Sequence, residues 1–259
     1  MRFYQVDSFT DKLFGGNPAG VCLVGENWPS EELMQNIAAE NNLSETAFVK
    51  QSGKKFGIRW FTPTVEVPLC GHGTLAAAHV MFCHEGFEGE LVFDASGRIL
   101  RVVYDGDLLT LDFPADKIWQ ISFEKRLDCF NFTPKEVWRG AEEYLLVFDN
   151  QNQIEEAVCS LEKAAAIDLL GFIITAKADG SAADFVSRYF GPKIGINEDP
   201  VTGSAHTLLV PYWSGVLKKD DFKAVQLSKR RGQLFCRLEG DRVKIGGRAV
   251  TYCIGEIQL

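Results

Sequence analysis

Alternation of apolar and polar positions with a period of two dominates the chain. It recurs in short runs closed by glycine or aspartate turns. In the first half these are FYQVDSF, GVCLV, ETAFVK, FGIRWF, GELVFDA and ILRVVYDGDLLTLDF; in the second, EYLLVFD, GFIITA, DFVSRYF, QLFCRLEGDRVKIGG and AVTYCIGEIQL. Each run predicts one strand or a pair. Helical spacing is confined to four segments: SEELMQNIAAE at 30–40 behind a serine cap, GTLAAAHVMFCHE at 73–85, SLEKAAAIDLL at 160–170, and SAHTLLVPYWSGVL at 204–217, bent by Pro211. The second and fourth are strongly apolar. Such a helix needs cover all round, which places each inside a curved sheet.

The surroundings of these two helices repeat. Residues 59–75 read RWFTPTVEVPLCGHGTL and residues 188–208 read RYFGPKIGINEDPVTGSAHTL. Arg59 corresponds to Arg188, Glu66 to Glu198, Pro68 to Pro200, Gly71 to Gly203 and His72 to Ser204. The offset is 188 − 59 = 129 residues at the arginines and 200 − 68 = 132 at the prolines, half the chain and far beyond a solenoid period. The expected fold is therefore α+β: two similar, pseudo-symmetric lobes, each a strand-rich curved sheet wrapped around a central apolar helix. The lobes are expected at 1–115 and 116–259, with room for the chain to cross back near its C-terminus.

A chain of 259 residues, 46% hydrophobic, can bury such cores without staples. Its 35 acidic and 27 basic residues leave a net charge of −8 and no basic stripe, so nucleic acid is not an expected partner. The seven cysteines are odd in number and lack CxxC spacing, which fits reduced thiols in the cytoplasm. The N-terminal segment does not read as a signal peptide. The uncharged stretch 68–84 contains glycine, threonine and three histidines, and does not read as a membrane span.

Three chemistries compete for the segment EVPLCGHGTLAAAHV at 66–80. As a dinucleotide fingerprint, Gly71-x-Gly73-x-x-Ala76 fails because Pro68 and Glu66 interrupt the strand it needs, and the second copy lacks the second glycine. Cys70, His72, His79, Cys83 and His84 are soft metal ligands, but along a helix they span about 16 Å at 1.5 Å per residue, so no four converge and no metal is expected. The third chemistry is carboxylate binding. A helix N-terminus presents unpaired N–H groups and partial positive charge. Gly71 and Gly73 in one copy and Gly203 in the other would let a ligand approach the backbone, with His72 and Ser204 each adding a donor, across a cleft between the lobes.

In NNLSETAFVK, alternation puts Glu45 on a face with Leu43, Ala47 and Val49. A carboxyl among apolar neighbours suits proton transfer near neutral pH; an exposed Glu paired with a lysine is the plainer alternative. Glu66 and Glu198 read as helix-dipole or structural groups, and Arg59 and Arg188 as loop-bracing or lobe-to-lobe cations. Phe14, Trp60 and Trp213 are candidates for pocket walls. No Ser/His/Asp pattern, Walker loop or HExxH is present.

FTDKLFGGNPAGVCLV, NLSETAFV, RWFTPTVEVPLCGHGTLAAAHV, SRYFGPKIGINEDPVTGSAHTLLVPYW and RRGQLF with RVKIGGRAV, in that order, resemble the PhzF family of phenazine biosynthesis-like proteins, most closely its animal members. The resemblance implies a diaminopimelate-epimerase-like fold with the site between two lobes, and a homodimer. It also implies a cofactor-independent isomerase that moves a proton along a conjugated carboxylic acid. The family's catalytic glutamate matches Glu45, and its substrate-contacting His, Asp and Ser match His72, Asp199 and Ser204. Two positions depart: Gly73 stands where alanine is usual, and Pro68 where many bacterial members have aspartate, which bears on the substrate. The related epimerases use one cysteine per lobe. Cys70 fits the first place, but Thr202 occupies the second, which disfavours two-thiol racemisation. Two rival readings remain: an epimerase using Cys70 with another base, and a binding protein that keeps the pocket without turnover.

Overall fold

The structure is a computed structural model that describes residues 1–53, 55–124 and 127–259. It divides into two compact units, Met1–Asp112 with Gly246–Leu259, and Phe113–Ile245. The fold is α+β, rich in strands and with few helices. Among the described residues no helix is long and apolar enough to cross a membrane.

The first unit contains β1 (Arg2–Ser8), β2 (Asn17–Val24), α1 (Glu31–Asn41), β3 (Glu45–Ser52), β4 (Lys55–Phe61), β5 (Glu66–Val67), α2 (Gly71–Cys83), β6 (Leu91–Ala95), β7 (Arg98–Tyr104) and the start of β8 (Leu109–Pro114). Its sheet runs β18–β1–β2–β3–β4–β6–β7–β8, where β18 is the C-terminal strand Ala249–Glu256. β2 runs parallel to β3 across α1, and β4 parallel to β6 across α2; the other pairs are antiparallel.

The second unit repeats this plan. It contains β9 (Trp119–Ile121), β10 (Glu136–Arg139), β11 (Glu143–Val147), the short helices α3 (Gln151–Glu155) and α4 (Leu161–Ala165), β12 (Gly171–Lys177), β13 (Phe185–Gly191), β14 (Ile196–Asp199), α5 (His206–Leu217), β15 (Asp221–Gln226) and β16 (Gly232–Glu239). The last strand before β18 is β17 (Arg242–Gly247). The order β9–β10–β11–β12–β13–β15–β16 has its parallel pairs at β11–β12 and β13–β15, again across helices.

Both apolar helices are buried as their composition demands. α2 buries Leu75, Ala76, Ala77, Ala78, Val80 and Met81, and α5 buries Leu208, Leu209, Val210, Tyr212 and Trp213. α2 lies against β1, β2 and β3, while the opposite side of β3 meets α1 through Phe48, Met34, Ile37 and Ala38. Both faces of β3 are therefore covered. Thr46 and Phe48 are as buried as Ala47 and Val49, which is why one-sided alternation does not describe this strand. Ser30 caps α1, its Oγ accepting the Leu33 N–H at 3.2 Å.

Two helices differ from expectation. The segment 160–170 is helical only over Leu161–Ala165, because its last residues turn to join β12. α5 begins at His206, so Gly203 and Ser204 sit in the turn before the helix rather than in its first turn. Trp60 and Trp213 are core residues: Trp213 stacks on Phe185 with centroids 5.6 Å apart and donates its indole N–H to Thr175 Oγ1 at 3.1 Å. Only Phe14 of the three expected aromatics is exposed.

Candidate active site

Three strand ends meet the start of α2. Ser8, at the end of β1, pairs with Asn17, at the start of antiparallel β2, and Ala19 of β2 lies beside Glu45, the first residue of parallel β3. One end of the sheet thus presents a hydroxyl, a carboxamide and a carboxylate, while α2 brings Cys70 and His72. Ser8 Oγ donates to the His72 carbonyl at 2.9 Å, and the Asn17 Nδ2 stands 3.3 Å from His72 Nδ1. His72 Nε2 lies 2.9 Å from Glu45 Oε2. Glu45 and His72 are 9% and 5% exposed, so the histidine, rather than a surface lysine, is the partner of the buried carboxylate.

Cys70 completes the cluster. Its Sγ accepts the Gly73 N–H at 3.2 Å, capping α2, and lies 3.5 Å from His72 Nδ1. The Thr74 hydroxyl donates back to the Cys70 carbonyl at 2.6 Å. Among the described residues no acceptor takes the amides of Gly71 and His72. An added Cβ on Gly73 would lie 3.0 Å from both Cys70 Sγ and Trp60 Cδ1, so alanine here would push these two side chains apart by a few tenths of an ångström.

The cluster's electrostatics favour an ion pair. Burial by itself would lower the His72 pKa, but the interactions with Cys70 and Glu45 outweigh it and hold the pKa well above its ordinary 6.5. Burial pushes the Cys70 thiol up and the Glu45 charge adds to this, against the pull of His72 and the Gly73 amide.

The second unit positions Asp199 by the corresponding device. Arg188 donates from Nε and Nη2 to Glu198 at 2.6 and 3.0 Å, just as Arg59 donates to Glu66 at 2.7 and 2.6 Å. Each guanidinium also covers the aromatic ring two residues on, Phe190 or Phe61. These repeated arginines and glutamates brace the loops that lead to α5 and α2. Beyond Glu198, the Thr202 hydroxyl donates to Asp199 Oδ2 and accepts from Gln226 Nε2 at 3.2 Å. The Thr202 amide donates to Gln226 Oε1 at 2.8 Å, and Gln226 Nε2 also donates to the Asp199 carbonyl at 2.9 Å. With its proton committed to Asp199, Thr202 is a positioning group.

His206 lies directly behind this turn. Its Nδ1 is 3.0 Å from the Thr202 carbonyl, the link that Thr74 makes to Cys70 in the first unit. Burial lowers its pKa to about 4, so it is a neutral donor there. Ser204 is exposed, and the amides of Gly203, Ser204 and Ala205 have no acceptor among the described residues.

Asp199, Gly203 and Ser204 fall together in the second unit, and Glu45, Gly71, His72 and Gly73 in the first. Sequence reasoning missed Ser8, Asn17, Gln226 and His206. The signal for Gln226 was a lone amide in the apolar run AVQL. Cys70 and His72 do not group with the other soft ligands of α2. Their third neighbour is Glu45, the three donor atoms lying within 4.8 Å of one another. His79 and His84 instead meet the Thr251 hydroxyl at 2.9 and 2.7 Å.

A family model described as phenazine biosynthesis-like protein, PhzC-PhzF, matches residues 6–255. The chain belongs to the PhzF family. An uncharacterized isomerase of Pseudomonas aeruginosa is 44% identical over 100% of this chain and 99% of its own. The mouse phenazine biosynthesis-like domain-containing protein 1 is 38% identical over 99% of both chains, so the resemblance to bacterial PhzF proteins exceeds that to animal ones, against expectation. The solved PhzF family protein of Enterococcus faecalis is 40% identical, covers 100% of this chain and 99% of its own, and superposes with a TM-score of 0.95. The PhzF fold extends to epimerases of low identity, such as the hydroxyproline epimerase of Agrobacterium vitis: 13% identical over 98% of this chain and 91% of its own, TM-score 0.64.

Proposed function

We propose that this PhzF-family protein is a cofactor-independent isomerase of a small, conjugated carboxylic acid, with Glu45 as its single acid–base group. The observation that carries the reading is the buried Glu45–His72 pair, 2.9 Å apart at the start of α2. Glu45, paired with His72, enters as a base. It takes a proton from one carbon, the electron pair moves through the conjugated system, and the carboxylic acid so formed returns the proton to another carbon. The free amides at Gly71 and His72 suit the negative charge that develops on the substrate between the two transfers. Asp199, Gly203 and Ser204 are assigned to substrate binding, with three consecutive free amides suited to a carboxylate. The protein is expected to act as a cytoplasmic homodimer, without nucleic acid or membrane partners.

The second unit supports a single acid–base group rather than two. The residue that opens β12, as Glu45 opens β3, is Gly171, and an added Cβ there would lie 2.6 Å from the Tyr189 hydroxyl. Position 171 itself therefore has no room for a side chain. Cys70 as the base of an epimerase is disfavoured, because its thiol is raised by burial and already accepts the Gly73 amide.

The experiment is deuterium incorporation in heavy water, read by mass spectrometry, with dihydro-hydroxyanthranilate and a pool of small carboxylic acids. Wild type should label at least one compound, and Glu45→Gln should lower its rate by about 10²–10⁴-fold. Label retained at the wild-type rate in Glu45→Gln, but abolished in Cys70→Ala, would replace this mechanism with the thiol one.

A further inference from the structure

We infer that Glu143 and Tyr189 form, within the second unit, a binding site for the ammonium group of an amino-acid ligand. The repeat isolates these residues. In the first unit Ala19 stands beside Glu45, Trp60 opposite Ala47 and Val67 opposite Trp60; in the second, Glu143 stands beside Gly171, Tyr189 opposite Ile173 and Asp199 opposite Tyr189. The first unit builds this geometry from apolar side chains, so the fold does not require polar ones in the second.

Both residues face α5. Their sequence neighbours Tyr144 and Phe190, with Phe172 beside Gly171, belong to the core on the opposite side of the sheet, together with Ile154 of α3 and Ala164 of α4. Alternation therefore turns Glu143, Gly171 and Tyr189 toward α5. Glu143 and Tyr189 are 9% and 5% exposed. The Tyr189 hydroxyl lies over Gly171, 2.6 Å from where a Cβ would stand, and so in the space beside Glu143. The first turn of α5 adjoins this space: the Gly140 amide donates to the Glu143 carbonyl at 2.9 Å, and a Cβ on Gly140 would lie 2.4 Å from Leu208 Cδ2.

Among the described residues neither the Glu143 carboxyl nor the Tyr189 hydroxyl has a hydrogen-bond or ion-pair partner. A carboxyl group so buried is costly without one. Burial raises its pKa to about 7, and the charges of Glu142 and Asp116 add to this, with no cation to offset them. The Arg139 guanidinium covers the Tyr144 ring, on the other side of the sheet. A ligand carboxylate placed here would meet the like charges of Glu142, Asp116 and Asp199. An ammonium instead supplies the missing positive charge and three N–H donors, which the Glu143 carboxylate and the Tyr189 oxygen accept. That this amine belongs to the substrate of the isomerase rests on the assignment of Asp199 and Ser204 to substrate binding, whereas the site itself does not.

The test is isothermal titration of the full chain with two saturated acids that differ only in the amine, 2-aminocyclohexanecarboxylate and cyclohexanecarboxylate. Neither has a conjugated system through which a proton could move, so binding is read without turnover. Wild type should prefer the amino acid by about 10–100-fold, the worth of a charge-assisted hydrogen bond. Glu143→Gln should bring the two affinities to within about threefold, and Tyr189→Phe should narrow the preference less, since it removes one acceptor and no charge. Far-ultraviolet circular dichroism identifies the variants that fold, and the two variants test the site independently. The site is refuted if wild type binds the two acids equally, binds neither at millimolar concentration, or keeps its full preference in folded Glu143→Gln protein. Absence of deuterium incorporation would leave these affinities untouched, so the two proposals fail separately.

Discussion

At the scale of single residues, the site uses histidine in two protonation states set by surroundings alone. His72 and His206 are both buried. Beside Glu45 and Cys70 the His72 pKa is held well above its ordinary value, whereas burial lowers that of His206, which has the Thr202 carbonyl on Nδ1 and no partner on Nε2 among the described residues. The sign for His206 follows from linkage. Its folded pKa of about 4 lies below the unfolded 6.5, so its contribution to stability is intact above 6.5 and is lost as the pH falls through 4. At roughly 1.4 kcal/mol per pH unit the loss is about 3 kcal/mol. His206→Gln, whose amide can still donate to Thr202, should therefore lose about that much less stability than wild type between pH 7 and pH 4. Urea unfolding at the two pH values measures this, and equal losses in both proteins would show that folding does not lower the His206 pKa.

Glu45 and His72 were each legible, one as a carboxylate in an apolar strand and the other between two glycines. Their pairing was not, because they are 72 − 45 = 27 positions apart and meet only where β3 begins beside α2.

At the scale of elements, the repeated arginine motif has a stability role that can be ranked. Arg188 is 13% exposed at its side chain, pairs with Glu198, and donates from Nη1 to the carbonyls of Ile154, Glu155 and Ala157 at 3.0, 3.4 and 2.9 Å. Arg59 is 17% exposed, and its partners Glu66 and Glu31 are 37% and 78% exposed. Removing Arg188 leaves a partly buried carboxylate and three carbonyls without this donor; removing Arg59 leaves carboxylates that water can reach. Arg188→Leu should cost about 3–5 kcal/mol and Arg59→Leu about 1 kcal/mol, measured by urea denaturation. Equal costs would mean that the Arg188 carbonyl contacts add nothing. The repeat in the sequence revealed this motif, since Arg, Pro, Glu and Gly recur in order. The helix that follows was harder to delimit, because a turn of Gly203, Ser204 and Ala205 has the same composition as a helix start.

At the scale of the whole molecule, the C-terminal strand belongs to the first unit. β18 pairs with β1 from Arg2↔Glu256 to Ser8↔Ala249, and the Met1 ammonium and carbonyl bond the Ile257 carbonyl and amide at 2.8 and 2.9 Å. A chain ending at Arg248 should leave the inner strand β1 as an unpaired edge and uncover one side of α2. The truncated protein is expected to be aggregated or poorly folded, whereas the chain of residues 1–259 is expected to melt cooperatively. Light scattering and circular dichroism would check this, and a soluble, cooperatively melting truncation would contradict the dependence.

By itself the sequence determined the strand-rich plan, the two apolar helices, the half-chain repeat and the residue types of the site. These follow from periodicity and from glycine, proline and capping residues, which act over a few neighbouring positions. Only the tertiary structure decided that Glu45 faces His72 rather than a lysine, that Cys70 joins them, that Gln226 and His206 hold the second turn, and that Trp60 and Trp213 are core. Those outcomes depend on which strand ends share one edge of a sheet and which faces two helices cover. Pairing across long sequence separations sets both, and no local pattern records it.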